Sequence, residues 1–238
     1  TVTAVNDEPS FTTNNITYLE DSGSNSTSSW ASNLSKGASN ESSQTLTFTV
    51  SNNNNALFSS QPAINSSGTL TFTTASNKNG SATVTVGLSD DGGTAVSGDD
   101  DTFADQTFTI TLTAVNDEPS FTKGSNITVL EDSGSSSTSN WATSISTGPS
   151  NESNQSVTFT LSNTNNSLFS SPPAISSSGV LTFTPASNQN GSATVTVILS
   201  DDGGTSNGGD DTYANQTFTI TVTAVNDEPS FTKGSNIT

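Results

Sequence analysis

The chain repeats itself with a period close to the length of one domain. The stretch Thr1 to Phe11 returns at Thr111 to Phe121, and again at Thr221 to Phe231, so that the period is 110 residues. Solenoid repeats are about 20–50 residues long, whereas an immunoglobulin-like β-sandwich needs about 100. The period therefore predicts β-sandwich domains in tandem rather than a solenoid.

The repeated marks also set the predicted domain boundaries. Residues 1–8 are the end of a preceding repeat and its linker, 9–117 and 118–228 are two complete repeats, and 229–238 are the first strand of a following repeat. Between the marks, Glu20 to Gly23 recurs as Glu131 to Gly134, and Trp30 recurs as Trp141. We expect the chain to be a slice of a longer array.

Apolar residues alternate with threonine along most of the chain. Thr45 to Val50 and Thr107 to Leu112 have an apolar residue at every second position, which is the pattern of a strand with one buried face. Hydrophobic residues make up only 28% of the chain and the formal charge is −18, a composition typical of disorder, but the alternation is too regular for a disordered chain. No segment has apolar residues at helical spacing.

Seven strands are predicted in each repeat, and in the first they lie near 10–20, 27–35, 44–51, 56–65, 68–74, 81–89 and 105–114. Turn-forming sets such as Asn77 to Gly80 and Asp91 to Gly93 separate them. The predicted class is all-β, with two tandem seven-stranded antiparallel Greek-key sandwiches. The predicted core of the first repeat consists of Phe11, Leu19, Trp30, Leu46, Phe48, Leu57, Phe58, Ile64, Leu70, Phe72, Val84, Val86, Phe108, Ile110 and Leu112.

Composition excludes several classes of function. The chain has 22 acidic residues against four lysines, so nucleic acid and anionic membrane surfaces are unsuitable partners. It contains no Cys and no His, which removes disulfides, thiolate metal sites and the usual general base. No apolar run reaches the roughly 18 residues that would span a bilayer, and no signal-peptide pattern opens the chain. We expect a protein that is not an enzyme.

Several motifs, in order, resemble a known family. The linker Ala4 to Pro9 is similar to the Asp-x-Asn-Asp-x-x-Pro linker of cadherins. Together with Leu19 to Gly23, Asn79 to Val86 and Leu88 to Thr94, it resembles the tandem cadherin-like (VCBS-type) repeats of large bacterial surface adhesins, including RTX adhesins of biofilms. The resemblance implies secreted, non-catalytic spacer domains with Ca2+ between or within them. It also implies an association with carbohydrate in some relatives.

Acidic residues gather at the predicted loops and linkers, and none is expected in the middle of a strand. Strand direction places nine of them at the junction of the two repeats, where Ca2+ would relieve their mutual repulsion of about 0.4 kcal/mol per pair at 10 Å. The candidate metal ligands are Glu20, Asp21, Asn116, Asp117, Glu118, Glu152, Asp201, Asp202, Asp210 and Asp211 there, and Asp7, Glu8, Glu41, Asp90, Asp91, Asp99, Asp100, Asp101, Glu131, Asp132, Asn226, Asp227 and Glu228 at the equivalent places and in the loop before the last strand.

Two alternatives for these residues stay open. Asp is a good turn residue and acidic surfaces keep secreted proteins soluble, so the clusters need not bind metal. Asp99 to Asp101 could also hold an ion within one domain. The cadherin loop Leu-Asp-Arg-Glu is replaced here by Ser76 to Gly80 with a lysine, so we expect fewer ions per junction than the three of cadherins.

The sequence favours a calcium-rigidified extender segment of a secreted bacterial adhesin or surface filament, located outside the cell. Its partners would be the neighbouring repeats of the same chain. Two rivals are a polysaccharide-binding module, in which loops or Trp30 and Trp141 recognise sugar, and a self-assembling extracellular fibre subunit that binds other copies. A lone Trp in a sandwich strand more often fills the core than stacks on a sugar.

Overall fold

The structure of this chain is a computed structural model, which describes residues 4–94 and 100–236. The chain divides into two compact units, Thr1–Val115 and Asn116–Thr238. Each unit is built from β-strands and short 3-10 turns. The predicted all-β class is confirmed.

Within residues 4–94 and 100–115, unit 1 has these strands: β1 Ser10–Thr12, β2 Ile16–Leu19, β3 Ser24–Thr27, β4 Ser32–Ser35, β5 Thr47–Asn52, β6 Phe58–Ile64, β7 Leu70–Thr74, β8 Gly80–Ser89 and β9 Thr102–Thr113. They form a four-stranded sheet in the order β2-β9-β8-β5, a three-stranded sheet in the order β3-β7-β6, and the pair β1-β4. Ser39–Glu41 and Asn55–Leu57 are 3-10 turns.

Unit 2 repeats this arrangement with β10 Ser120–Thr122, β11 Ile127–Leu130, β12 Ser136–Thr138, β13 Thr143–Ser146, β14 Thr158–Asn163, β15 Phe169–Ile175, β16 Leu181–Pro185, β17 Gly191–Ser200 and β18 Gln216–Thr223. Its sheets have the orders β11-β18-β17-β14, β12-β16-β15 and β10-β13. Its 3-10 turns are Ser150–Glu152, Asn166–Leu168 and Ser206–Gly208.

The first two predicted strands of each repeat are each broken into two pieces. In unit 1 the segment predicted at 10–20 gives β1, which pairs antiparallel with β4, and β2, which pairs in parallel with β9. The segment predicted at 27–35 is likewise divided between β3 and β4. When each broken strand is counted once, every repeat has seven strands, as predicted.

Each unit has its own hydrophobic core between its sheets. Leu70 of the three-stranded sheet and Ile110 of the four-stranded sheet are fully buried, and Tyr18 contacts Phe72 across the sheets with ring centroids 5.3 Å apart. The predicted core is confirmed except for Leu19, which is 38% exposed. The parallel register of β2 on β9 turns Ile16 and Tyr18 inward, so Leu19 points out.

Both tryptophans lie in the core. Trp30 is 4% exposed and Trp141 is 3% exposed, and each packs on a core phenylalanine, Phe108 or Phe218. Because their rings are covered, neither can stack on a sugar ring, and the core interpretation of the tryptophans is confirmed.

Two further expectations can be compared with the strands. Asp105 lies inside β9, so the expectation that no acidic residue occurs within a strand is wrong at this position. A β-bulge there accommodates it on the outer face of the sheet. In the segment after β18, Phe231 is 90% exposed, whereas the equivalent Phe11 and Phe121 are buried in their repeats. That residues 229–238 begin a following repeat stays a prediction.

Candidate metal centre

A buried asparagine organises the N-terminal end of unit 1. The Asn6 side-chain amide donates to Asp90 Oδ1 at 3.0 Å and to the carbonyl of Asp100 at 2.9 Å. Its own amide oxygen accepts a hydrogen bond from the Gln44 side chain, and its carbonyl accepts the N–H of Asp100 at 3.1 Å. The linker, the loop after β8 and the segment before β5 are therefore joined through one side chain.

Unit 2 has the same arrangement around Asn116. Its amide donates to Asp201 Oδ1 at 3.0 Å and to the carbonyl of Asp210 at 2.7 Å, and Gln155 donates to its amide oxygen at 2.6 Å. The motifs that form this arrangement recur in both repeats, so it is a property of the repeat rather than an accident of one copy.

A buried glutamate on a 3-10 turn completes the N-terminal end of each unit. Glu41 Oε1 accepts the backbone N–H of Asp7 at 2.9 Å, and Glu152 Oε1 accepts that of Asp117 at 2.7 Å. Each carboxylate passes close to a glycine with positive φ: a Cβ on Gly148 would lie 1.9 Å from Glu152 Oε2. Glycine is required there both for its backbone conformation and for the approach of the carboxylate.

The C-terminal end of each unit also has a buried glutamate bonded to the chain that leaves the domain. Glu20, 2% exposed, accepts the N–H of Val115 at 2.7 Å, and Glu131, 6% exposed, accepts that of Val225 at 2.7 Å. Each side chain is thus buried against the linker backbone.

Several buried oxygen atoms have no hydrogen-bond donor among the residues that the structure describes. They are Asp90 Oδ2 and Gln44 Oε1 in unit 1, and Asp201 Oδ2 and Gln155 Oε1 in unit 2. All four atoms can only accept, and the whole Asp90 side chain is 8% exposed. Buried acceptors of this kind need a donor or a cation, and carboxylate and amide oxygens suit Ca2+.

The remaining candidate ligands are more dispersed. Asp91 and Asp202 accept the backbone N–H of Thr45 and Ser156, and Asp21 and Asp132 accept those of Asn77 and Asn188. Glu118 accepts the N–H of Ala214. The remaining side chains are exposed or half-buried: Asp7, Glu8, Asp100, Asp101, Asp210, Asp211, Asn226, Asp227 and Glu228. Asp99 lies outside the described residues.

Within residues 4–94 and 100–236, no group of three or more acidic side chains is arranged so that it could hold a metal ion. Many of the carboxylates are instead directed to separate backbone N–H groups, and those of Asp90 and Asp201 also accept an asparagine amide. Sites in the described parts would therefore have to combine carboxylates with amide and carbonyl oxygens, and the unpartnered oxygens of Asp90 and Asp201 are the places where the residues fit a cation best.

The sequence analysis missed three residues of this site, Asn6, Gln44 and Gln155. Their signal lies in the repeat itself, because Asn40-Glu41-Ser42-Ser43-Gln44 recurs as Asn151-Glu152-Ser153-Asn154-Gln155. The glutamine was overlooked because it carries no charge.

One carboxyl group in the loops has a shifted pKa. The backbone N–H of Thr45 donates to Asp91 Oδ1 at 2.7 Å and lowers the pKa of Asp91 below its ordinary value, because the bond favours the ionised form. The Thr45 side chain and the charge of Lys36 act in the same direction.

Comparison with solved structures identifies the fold. The human protocadherin-24 EC1-2 crystal structure (form II) matches over 94% of this chain and 100% of that chain, with 16% identity and a TM-score of 0.52. Mouse protocadherin-24 EC1-3 matches over 91% of this chain and 71% of that chain (17%, 0.46), and protocadherin gamma B2 domains 1-5 over 94% and 41% (18%, 0.47). The human structure, with a TM-score above 0.5, shows that the fold is a cadherin-like β-sandwich.

No protein-family model and no curated protein sequence matches the chain. Among the described residues there is no helix with the length and hydropathy of a membrane span.

Proposed function

We propose that this chain is a pair of extracellular, non-catalytic cadherin-like repeats that bind Ca2+ at their ends, and that it serves as a spacer in a bacterial surface adhesin. The observation that carries the proposal is the recurrence, in both repeats, of buried acceptor oxygens that have no donor among the residues the structure describes: Asp90 Oδ2 with Gln44 Oε1, and Asp201 Oδ2 with Gln155 Oε1. The adhesin role rests on the motifs that resemble bacterial cadherin-like repeats.

The charge balance supports a cation as the missing partner. A net charge of −18 with only four lysines leaves few internal cations to neutralise buried carboxylates. Lys36 donates to the carbonyl of Ser42, and Lys123 to that of Thr217. A divalent cation with six to eight oxygen ligands would neutralise the carboxylates and use the amide oxygens as well.

Chain connectivity supports binding of Ca2+ near the linker between the repeats. Glu20 is bonded to the N–H of Val115, and Glu152 is bonded to the N–H of Asp117. Each repeat therefore fixes a buried carboxylate to the backbone at its own end of the linker. Ca2+ bound at the end of each repeat would neutralise these carboxylates.

The first test is calorimetry of the full chain with CaCl2 and with EGTA. A ligand at about 100 times its Kd adds about 2.7 kcal/mol, which would raise the Tm of a domain of this size by about 10 °C. X-ray scattering in CaCl2 and in EGTA measures in parallel whether the maximum dimension of the chain depends on Ca2+. Equal Tm and equal dimension in both conditions would refute the proposal.

The second test replaces the unpartnered oxygens. Asp90→Asn and Asp201→Asn should each reduce the Ca2+-dependent rise of Tm, because a cation ligand is lost. In EGTA the same variants should be as stable as the wild type or more stable, because a buried negative charge is removed. Asp105→Asn is the matched control, since it removes the same charge from a carboxylate outside the proposed metal sites. A loss of Ca2+ response that is equal in the control would point to general charge screening instead.

The proposed location has its own test. An antibody raised against the purified chain should label intact cells of the source organism without permeabilisation. Labelling that requires permeabilised cells would contradict the extracellular role, while leaving Ca2+ binding to be judged by calorimetry.

A further inference from the structure

The two repeats differ at one place on the outer face of the four-stranded sheet. Unit 1 has Gly87 in β8 where unit 2 has Ile198 in β17, and Asp105 in β9 where unit 2 has Asn215. Gly87 makes this place more open in unit 1, and Asp105 makes it more negative. Since the sequences around them are nearly identical, this difference invites a functional explanation.

The strand register brings these residues of unit 1 together. Gly87 is paired with Thr49 of β5 on one side. On the other side the β8–β9 register shifts between Val86 and Leu88, so that the bulge containing Asp105 faces Gly87. A Cβ built on Gly87 would lie 2.6 Å from Thr49 Oγ1 and 3.0 Å from Asp105 Oδ1. Both oxygens therefore lie over the glycine, in space that a larger side chain would take.

A small depression surrounds this point. Two cavities of about 130 and 200 Å3 share Thr49, Gly87 and Asp105 in their walls. Their other walls include Ser51, Thr85, Thr102 and Phe103, of which Phe103 also packs on Phe11. Pockets for drug-sized ligands are about 300–1,000 Å3, so this depression suits one small group.

Asp105 has no assigned task in the fold. Within the described residues, its carboxylate accepts no hydrogen bond and forms no ion pair, and its side chain is exposed. It is also the one acidic residue that the sequence analysis placed in no metal site. The Asp105 carboxylate is therefore available for a ligand, beside Gly87, which has no side chain to fill the space.

The chemistry of the walls selects the ligand. An anion would be repelled by Asp105 and by the net charge of −18. Ca2+ prefers six to eight oxygens with several carboxylates, and only one carboxylate is present. An ammonium group could bond to Asp105, but it would leave the Ser and Thr hydroxyls without an acceptor, because it only donates. A sugar ring both donates and accepts, and its C–H face can contact Phe103.

We propose that the Gly87 notch, defined by Thr49, Gly87, Asp105 and the hydroxyls around them, binds one uncharged sugar residue of a polysaccharide. Asp105 would accept hydrogen bonds from sugar hydroxyls, and Thr49 would donate or accept beside it. Unit 2 does not bind sugar at the equivalent place, because Ile198 fills it and Asn215 has no charge. This site is separate from the proposed Ca2+ sites and does not rest on them.

The experiment is NMR of the 15N-labelled full chain in CaCl2, titrated separately with the methyl glycosides of glucose, galactose, mannose, fucose and N-acetylglucosamine. At least one sugar should shift the amides of Thr49, Gly87 and Asp105, and leave those of Thr160, Ile198 and Asn215 unmoved. Methylammonium chloride is titrated in parallel. The absence of shifts with all five sugars, or shifts at the notch with methylammonium alone, would overturn the proposal.

The variants are taken from the other repeat, so each residue has a precedent in the same strand of the same fold. Asp105→Asn and Gly87→Ile should each weaken sugar binding by about tenfold or more, as expected for the loss of a charged hydrogen bond or of the cavity. The double change Ile198→Gly with Asn215→Asp should create sugar-dependent shifts in unit 2. If binding survives both unit 1 variants, the sugar binds elsewhere and the proposal is wrong.

Discussion

At the residue scale, the buried glutamates of the molecule accept backbone N–H groups. Glu20, Glu41, Glu131 and Glu152 are all buried and each holds a backbone N–H in or beside a linker. Such bonds satisfy the linker backbone, but they do not cancel the charge of a carboxylate. In the proposed function, bound Ca2+ would neutralise that charge.

The same kind of bond gives a pH prediction for Asp91. Because the Thr45 N–H favours its ionised form, Asp91 should titrate below the ordinary value of about 3.9. Its folded-state pKa is lowered, so its contribution to stability is present above about pH 4 and is lost as the pH falls through the lowered pKa. NMR titration of the Asp91 side-chain carboxyl tests this, with an aspartate in a short unfolded peptide as the reference. A midpoint for Asp91 equal to or above that of an unfolded peptide would contradict it.

At the element scale, the break in the first strand is what lets one segment join two sheets. The Trp30 Nε1 donates to the carbonyl of Asn14 at 3.1 Å, in the link between β1 and β2. In unit 2, Trp141 donates to the carbonyl of Ser125 at 3.0 Å. Asn15 and Asn126 reinforce the breaks by accepting the N–H groups of Thr109 and Thr219. The tryptophan thus fills the core and also holds, by a hydrogen bond, the link between the two pieces of the first strand.

Replacement of either tryptophan by phenylalanine should destabilise its own unit. Trp30→Phe keeps an aromatic ring but loses the bond to Asn14 and some buried volume, and we expect a cost of about 2–4 kcal/mol. In that variant the fluorescence of Trp141 reports unit 2 alone, while circular dichroism reports both units during urea unfolding.

The expected result is an early transition in circular dichroism with an unchanged fluorescence transition. Trp141→Phe is the reciprocal control, in which fluorescence of Trp30 reports unit 1. A circular dichroism curve identical to that of the wild type would show that the crossover bond contributes nothing.

At the scale of the whole molecule, self-repulsion is the dominant electrostatic feature, since 22 acidic residues face four lysines. Repulsion among exposed charges is screened by salt, whereas a bound cation neutralises the buried ones directly. We therefore expect salt to weaken the repulsion among exposed carboxylates, and Ca2+ to neutralise the buried ones.

Raising the KCl concentration should increase the Tm of the chain in EGTA, and should increase it less in saturating CaCl2, where part of the charge is already neutralised. Differential scanning calorimetry at low and high KCl measures both slopes. Glycerol at matched osmolarity serves as the uncharged control. A Tm that is independent of KCl in EGTA would mean that repulsion is too weak to require a cation.

The sequence by itself determined the repeat, the alternation of apolar and threonine residues, and most of the core, because these depend on local period and composition. It also placed Asp90, Asp201 and Glu152 near the ends of domains, since strand direction fixes which loop lies where. The placement of Asn116 beside Asp201 depends on the same reasoning, although their hydrogen bond was not foreseen.

Only the tertiary structure decided the strand breaks, the outward turn of Leu19, the bonding of Gln44 to Asn6, and the position of Asp105 on a bulge over Gly87. Each of these depends on the register between strands far apart in the chain. A shift of one residue in that register reverses which side chains face inward, and nothing in the local pattern of a strand specifies it.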